Sequence, residues 1–407
     1  MQIKKFLHNI FNQNQSRIED WLESKYSSTK RLIYSSVDIR HSGFKIAPVD
    51  TNLFPAGFNL LSSSQAQKAS EEITNYFKKY FEGQKRILLI SESHTRNKYY
   101  LQNIHALSKI LENADLKVKI AKISRAENEE EQEQLETSEG DIINVGSIQR
   151  DGDKIKSGDF TPEVIIVNND FSSGSPDILR DIDQPVFPPV GMGWYRRRKT
   201  GHFSSYEAIA REFSQMLDFD YWFISAYYSK CGKIDFKQKK GLELLAERSE
   251  QLLKNIRQKY REYNINKDPY LFIKANTGTY GMGIMSIKDP QEILDINKKS
   301  RHSMNRIKEG SENSEVIIQE GIETIDQFEG HPAEPMVYLA NSNPIGCTYR
   351  VNNNQDSQGN LNSKGMAFRP VESIEKTNQI DCPVQSRIAQ LSSLAAAREC
   401  YEINWEI

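Results

Sequence analysis

Tyr270-Leu-Phe-Ile-Lys-Ala-Asn-Thr-Gly-Thr-Tyr-Gly-Met-Gly-Ile-Met285 starts as a short apolar strand, ends it on a lysine, and runs through a glycine-rich loop into a second apolar strand. Gly278, Gly281 and Gly283 let the backbone take positive φ and come close to a ligand. Successive backbone N–H groups in such a loop cradle anionic oxygens, and Lys274 adds a point charge beside them. A triphosphate is the natural guest. The order differs from the common phosphate loop, in which G-x-x-x-x-G-K-[ST] leads from a strand into a helix. A β-hairpin whose glycines only make the turn is the competing reading. The lysine that closes the first strand favours the anion.

Size and composition narrow the rest. A chain of 407 residues predicts two or three domains, and 38% hydrophobic with 27% charged residues supplies real cores under a polar surface. A formal charge of −2 argues against nucleic acid or an anionic membrane as partner. No apolar run nears the roughly 18 residues of a membrane span. The first residues lack the pattern of a signal peptide, so a cytoplasmic protein is expected. Cys231, Cys347, Cys382 and Cys400 are scattered, which suits reduced structural thiols rather than zinc or disulfides. The histidines show no ligand spacing, so any metal would sit among oxygens.

Periodicity divides the chain into three parts. Residues 1–84 read as amphipathic helices, a loop-rich stretch over 36–59 whose Pro, Gly, Asn and Asp exclude a regular element, and a helix at 65–82. Residues 85–190 alternate strand and helix, predicting a small doubly wound sheet whose ligands lie beyond the carboxyl ends of its strands. Glu92–Asn97 and Asn168–Gly174 fall at two such ends. Over 191–407, helices at 204–220 and 238–262 precede strands at 270–275, 282–287, 315–320, 334–340 and 344–351, with helices near 290–309 and at 384–399.

Three further features bear on chemistry. Val316-Ile-Ile-Gln-Glu-Gly-Ile322 is an apolar strand breaking into a polar hinge, and Gln319, Glu320 and Ile322 could give a purine base an apolar slot with backbone donors and acceptors. Glu402-x-Asn404, if extended, would point a carboxylate and an amide oxygen the same way, as Mg²⁺ requires. Arg350, ending a strand, could grip phosphate bidentately. The run Arg196–Lys199 reads as a solvated basic patch or an anion recruiter.

Lysine and glycine-rich loop, a hinge about 45 residues later, then Arg350 and the late E-x-N resemble the ATP-grasp superfamily. Pro48-Val-Asp-Thr-Asn-Leu-Phe-Pro-Ala-Gly-Phe-Asn59, Glu92-Ser-His-Thr-Arg-Asn97 and Lys274–Gly283 resemble, more closely, a proteobacterial family of glutamate–cysteine ligases distinct from those similar to glutamine synthetase. The resemblance implies an N-terminal doubly wound domain followed by an ATP-grasp-like pair of α+β subdomains. It also implies an ATP-dependent ligase joining the γ-carboxylate of L-glutamate to the amine of L-cysteine through a γ-glutamyl phosphate. Lys274 with Asn276, Thr277, Gly278, Thr279, Gly281 and Gly283 would hold the phosphates, Gln319–Ile322 the adenine, and Glu402 with Asn404 the Mg²⁺.

One departure is visible. Superfamily members carry a further acidic ligand shortly before the E-x-N glutamate, whereas residues 389–394 have no Asp or Glu, leaving Glu334 or Asp356 to serve. By polarity, the amino acids would be read by Arg40, Lys45, Asp50, Asn52 and Asn59 from the first loop and by His94, Arg96 and Asn97 from the strand end. A ligase of the same kind with other amino-acid or peptide substrates, and a non-catalytic nucleotide-binding protein, are the alternatives. Oligomeric state, a homo-oligomer included, stays open.

Overall fold

The computed structural model describes residues 2–93, 97–123, 132–277, 283–298, 300, 304, 315–370 and 382–403. Two short helices, α1 (Ile3–Gln13) and α2 (Gln15–Tyr26), bury Ile3, Leu7, Ile18 and Leu22 at helical spacing. Strands β1 (Tyr34–His41) and β2 (Ile46–Asn52) follow, then α3 (Ser63–Tyr80), which a Ser62/Gln65 capping box starts. The two strands correct the expectation of irregular backbone over 36–59. β1 is buried along its whole length although it carries Ser35, Ser36, Asp38, Arg40 and His41, so no apolar alternation announces it.

A mostly parallel six-stranded sheet comes next, with helices α3 and α4 (Lys98–Asn113) on one face and a hairpin and loops on the other, so the two-sided helical cover expected of a doubly wound sheet is not seen among the described residues. The sheet uses β3 (Arg86–Ser91), β4 (Lys117–Lys122), β5 (Gln132–Glu136), β6 (Ile142–Ser147), β9 (Val164–Asn168) and β10 (Val186–Phe187), in the order β10-β9-β3-β4-β6-β5. Helix α4 crosses between β3 and β4, and the small hairpin, β7 (Gln149–Asp151) and β8 (Lys154–Lys156), precedes β9. Every pairing is parallel except that of β5 with β6. Apolar runs buried on both faces, such as Ile87–Ile90 and Val164–Val167, are what a parallel sheet between covering layers demands.

After α5 (Lys199–Leu217), β11 (Tyr228–Lys233) and α6 (Leu242–Glu262), an antiparallel four-stranded sheet forms in the order β11-β14-β12-β13. Its other strands are β12 (Leu271–Ala275), β13 (Ile284–Ile287) and β14 (Glu315–Glu320). The helix predicted near 290–309 begins as α7 (Gln291–Leu294), and residues 305–314 lie outside the described residues.

The last sheet joins both ends of the chain. Its order is β18-β17-β16-β1-β2, with β15 (Gln327–Phe328) also on β16 (His331–Ala340), followed by β17 (Asn343–Asn352) and β18 (Met366–Pro370). The alanine-rich α8 (Pro383–Glu402) packs across β1, β2, β16 and β17. Residues 1–84 therefore do not stand apart, since β1 pairs with β16 along Tyr34–Asp38. No helix among the described residues is long and apolar enough to cross a membrane.

Candidate active site

The three large sheets converge on a cavity of about 300 Å³. The antiparallel sheet contributes Phe272, Lys274, Gln319 and the hinge residues Glu320 and Ile322. The mostly parallel sheet contributes Glu92, Asn168 and Asp170 from the carboxyl ends of β3 and β9, where open parallel sheets bind ligands. The mixed-terminus sheet forms the floor with Ser36, Asp38, Arg40, Asp50, Asn52, Glu334 and Arg350.

Register explains the floor. Ser36 lies opposite Asn52 and Asp38 opposite Asp50 across β1–β2, while Glu334 faces Arg350 across β16–β17. Asp50 and Asn52, two residues apart on a strand, share a face. Arg350 donates from one nitrogen, Nη1, to Asp38 Oδ2 at 2.7 Å and to Glu334 Oε1 at 2.6 Å, and Arg40 Nε donates to Glu334 Oε2 at 2.7 Å. Arg40 is further tied to the Ile322 and Gly359 carbonyls. These four side chains are 3–5% exposed, yet Asp38 Oδ1 and Arg350 Nε have no hydrogen-bond partner among the described residues. Burial lifts the Asp38 carboxyl above its ordinary range against the pull of Arg350, with Glu334 and Asp50 repelling it. Glu334 is held below its range, the two arginines outweighing burial. A buried carboxylate oxygen without a donor, facing a second carboxylate, suits a cation.

The phosphate end is built on cations. Lys274 Nζ donates to the neutral Gln319 Oε1 at 2.7 Å, and no described carboxylate pairs with it. Burial and then the Lys199 ammonium push it down to about 8. Lys199, the first residue of α5, pairs with Asp50 Oδ1 at 2.6 Å. Despite burial, Lys199 holds Asp50 down to about 2. Gln319 Nε2 is buried and has no hydrogen-bond partner among the described residues.

The loop after β2 is fastened to the mostly parallel sheet and its helix α4. Asn103 Oδ1 accepts from the Gly57 and Phe58 amides, Asn168 Nδ2 donates to the Pro55 carbonyl, and Tyr34 Oη donates to the Val167 carbonyl. Gly57 takes φ +99°, and a Cβ there would lie 2.2 Å from Tyr338 Oη. The Pro48–Asn59 segment thus depends on a glycine at this point.

Of the residues singled out by sequence, Arg40, Asp50, Asn52, Lys274, Gln319, Glu320, Ile322 and Arg350 line the cavity. Others do not. Lys45 is fully buried behind the hinge, paired with Glu320 Oε2 at 2.6 Å and 3.9 Å from the Trp222 ring centroid. Asn276 clamps the start of α5, accepting from the Thr200 amide, while its carbonyl accepts from Lys199 N. Asn97 caps α4, and Asn59 sits in a short turn of 3₁₀ helix outside the cavity. Thr277 and Gly283 flank the loop, with Gly283 at φ +63°. His94, Arg96, Gly278, Thr279, Gly281 and Asn404 lie outside the described residues. Glu402 corrects the strand expected for E-x-N: α8 continues through it, leaving the side chain exposed at a helix end, away from the cavity lining. Asp38 was not singled out, whereas Lys199 was read only as part of a basic run, and Glu92 and Asp170 only as members of two strand-end segments. Asp38 and Lys199 had a signal, respectively an acid shortly before the D-x-N of Asp50 and a lysine after a glycine-rich connector.

Comparison with known proteins follows this geometry. Residues 8–400 match the GshA family, glutamate–cysteine ligase. A crystal structure of a provisionally assigned gamma-glutamylcysteine synthetase from Methylobacillus flagellatus KT superposes with a TM-score of 0.90 at 36% identity, covering 99% of this chain and 97% of that one. No curated protein matches. The chain therefore belongs to the glutamate–cysteine ligase family, ATP-dependent ligases that make γ-glutamylcysteine in the first step of glutathione biosynthesis.

Proposed function

We propose that the cavity binds ATP, glutamate and cysteine together, between two α+β units arranged as in an ATP-grasp enzyme. One unit is the antiparallel sheet with Lys274, and the other is the sheet of both termini with its carboxylates. The observation that carries this reading is the pairing of Asp38 with Asp50 across β1–β2, beside Asn52, opposite the Lys274 strand end. These residues supply the carboxylate–amide set that the sequence led us to seek at Glu402 and Asn404.

Asp38, Asp50 and Asn52 fit Mg²⁺: all are hard oxygen donors, and Asp38 keeps a buried oxygen without a partner. When bound, Mg²⁺ would neutralise phosphate charge and orient the transferred group. Lys274 binds phosphate oxygens, and Gln319 with the Ile322 amide meets the adenine. Arg350, whose Nε is unpartnered, steadies the phosphoryl group as it passes to the γ-carboxylate of glutamate. Glu92 and Asp170 lie where they can take substrate ammonium groups, and the aromatic walls Phe54 and Trp194 keep water from the acyl phosphate. The cysteine amine then displaces phosphate, a step that asks mainly for positioning.

The test is cysteine-dependent ADP release with glutamate and Mg²⁺, measured for wild type, Asp38→Asn and Asp50→Asn. Losses of at least about tenfold, with a raised Mg²⁺ requirement, are expected in both variants. Wild-type Mg²⁺ dependence in both would refute the placement.

A further inference from the structure

We propose that Lys199 is a stand-in for the metal: its ammonium occupies Asp50 until a divalent cation arrives, then swings onto the nucleotide's phosphates beside Lys274. The inference rests on the metal placement above and adds a role for a residue that the sequence left in a basic patch.

The backbone of Lys199 is held more firmly than its head. The amides of Lys199 and Thr200 donate to Asn276 at 2.8 and 2.9 Å, which pins the start of α5 to the end of β12. The ammonium, by contrast, makes one hydrogen bond among the described residues, to Asp50 Oδ1, and lies 5.0 Å from the Trp194 ring centroid, at the end of a flexible four-carbon stem. Arg350 is less free to leave, because the nitrogen that serves Asp38 also serves Glu334. Lys199 is the easier cation to move.

Charge balance gives the exchange its direction. Asp38, Asp50 and Glu334 are matched by Arg40, Lys199 and Arg350, so the floor is neutral without a metal. A divalent cation on Asp38 and Asp50 leaves the floor with excess positive charge and frees one ammonium. Lys274 already stands near enough to Lys199 for the two to repel, so both point to one anion-binding region. A polyanionic nucleotide relieves that repulsion. Metal and nucleotide should therefore each strengthen the other's binding by the same factor.

The experiment measures Mn²⁺ affinity by electron paramagnetic resonance, with and without a non-hydrolysable ATP analogue, for wild type, Lys199→Met, Lys199→Arg and Asp50→Asn. Lys199→Met should bind Mn²⁺ about tenfold more tightly than wild type without nucleotide, the scale of one partly buried ion pair, and about tenfold more weakly with it. Lys199→Arg, which keeps the charge, should not show the gain without nucleotide. A Lys199→Met protein that folds but binds Mn²⁺ no better than wild type without nucleotide overturns the exchange. If Asp50→Asn also leaves Mn²⁺ binding intact, the metal placement falls with it; if Asp50→Asn abolishes binding, only the exchange fails.

Discussion

Nucleotide binding should be coupled to proton uptake through Lys274. In the free protein, burial and Lys199 depress its ammonium to about 8, below the ordinary lysine value. A phosphate oxygen in contact would restore the charged form. Recovery of roughly 2.5 pK units corresponds to about 3 kcal/mol of linked binding energy. The sign follows. Because the folded value lies below the unfolded one, the charge on Lys274 destabilises the free fold below pH 8, and this penalty is relieved as pH rises toward the unfolded value. Nucleotide affinity moves the opposite way, falling about tenfold per unit above pH 8. At pH 9, binding should take up close to one proton, on the order of 0.9. Calorimetric titration of an ATP analogue in two buffers of different ionisation enthalpy reads this number directly. Lys45 also sits at about 8, but it is sealed behind the hinge against Glu320, so the nucleotide should not perturb it. Lys274→Met should abolish the uptake. Absence of uptake in wild type, or its survival in Lys274→Met, would refute the reasoning.

Three other perturbations test the frame around the site. Glu334→Gln removes a buried carboxylate that accepts from Arg40 and Arg350, and should cost about 3–5 kcal/mol in a denaturant melt; a loss below 1 kcal/mol would show that the arginines find other partners. Gly57→Ala brings a Cβ to Tyr338 Oη at a positive φ, so the melting temperature should drop, with partial recovery in the double variant Gly57→Ala/Tyr338→Phe. No recovery would mean that φ strain rather than the hydroxyl sets the cost. Asn103→Ala leaves the Gly57 and Phe58 amides without an acceptor, at about 1–3 kcal/mol. It should raise KM for an amino-acid substrate more than for ATP, and an unchanged ratio of the two would detach this loop from amino-acid binding.

What the sequence disclosed follows from the physics of each segment. β12 and β14 are apolar strands bounded by polar turns, and their positions were readable to within a residue or two. The parallel strands β3 and β9 declared themselves through uninterrupted apolar runs. β1 and β2 were hidden because their function is to carry polar side chains into a cavity, which erases the alternation that marks a strand. The same density of charge nevertheless drew attention to Arg40, Asp50 and Asn52. The strand expected at Glu402 was misread because an E-x-N pattern carries no conformational signal, and the alanine-rich helix before it continues through that residue. The pairing of Asp38 with Asp50 could not be read from composition. It depends on strand register, which the hydrophobic pattern leaves unspecified where both faces are buried and polar.

The sheet that holds the cavity floor also dictates how the protein can be made. β1 is synthesised early, but its neighbour β16 emerges some 300 residues later, with Tyr34 meeting Ala340. At roughly 5–20 residues per second, a ribosome leaves that polar hairpin waiting on the order of 15–60 s for the strand that completes it. During that interval the β1 edge that later pairs with β16 has no strand partner. Asp38 and Asp50 face each other within the early hairpin, but Glu334 reaches Arg40 only once β16 has emerged, so nascent chains that stall before β16 cannot assemble this floor.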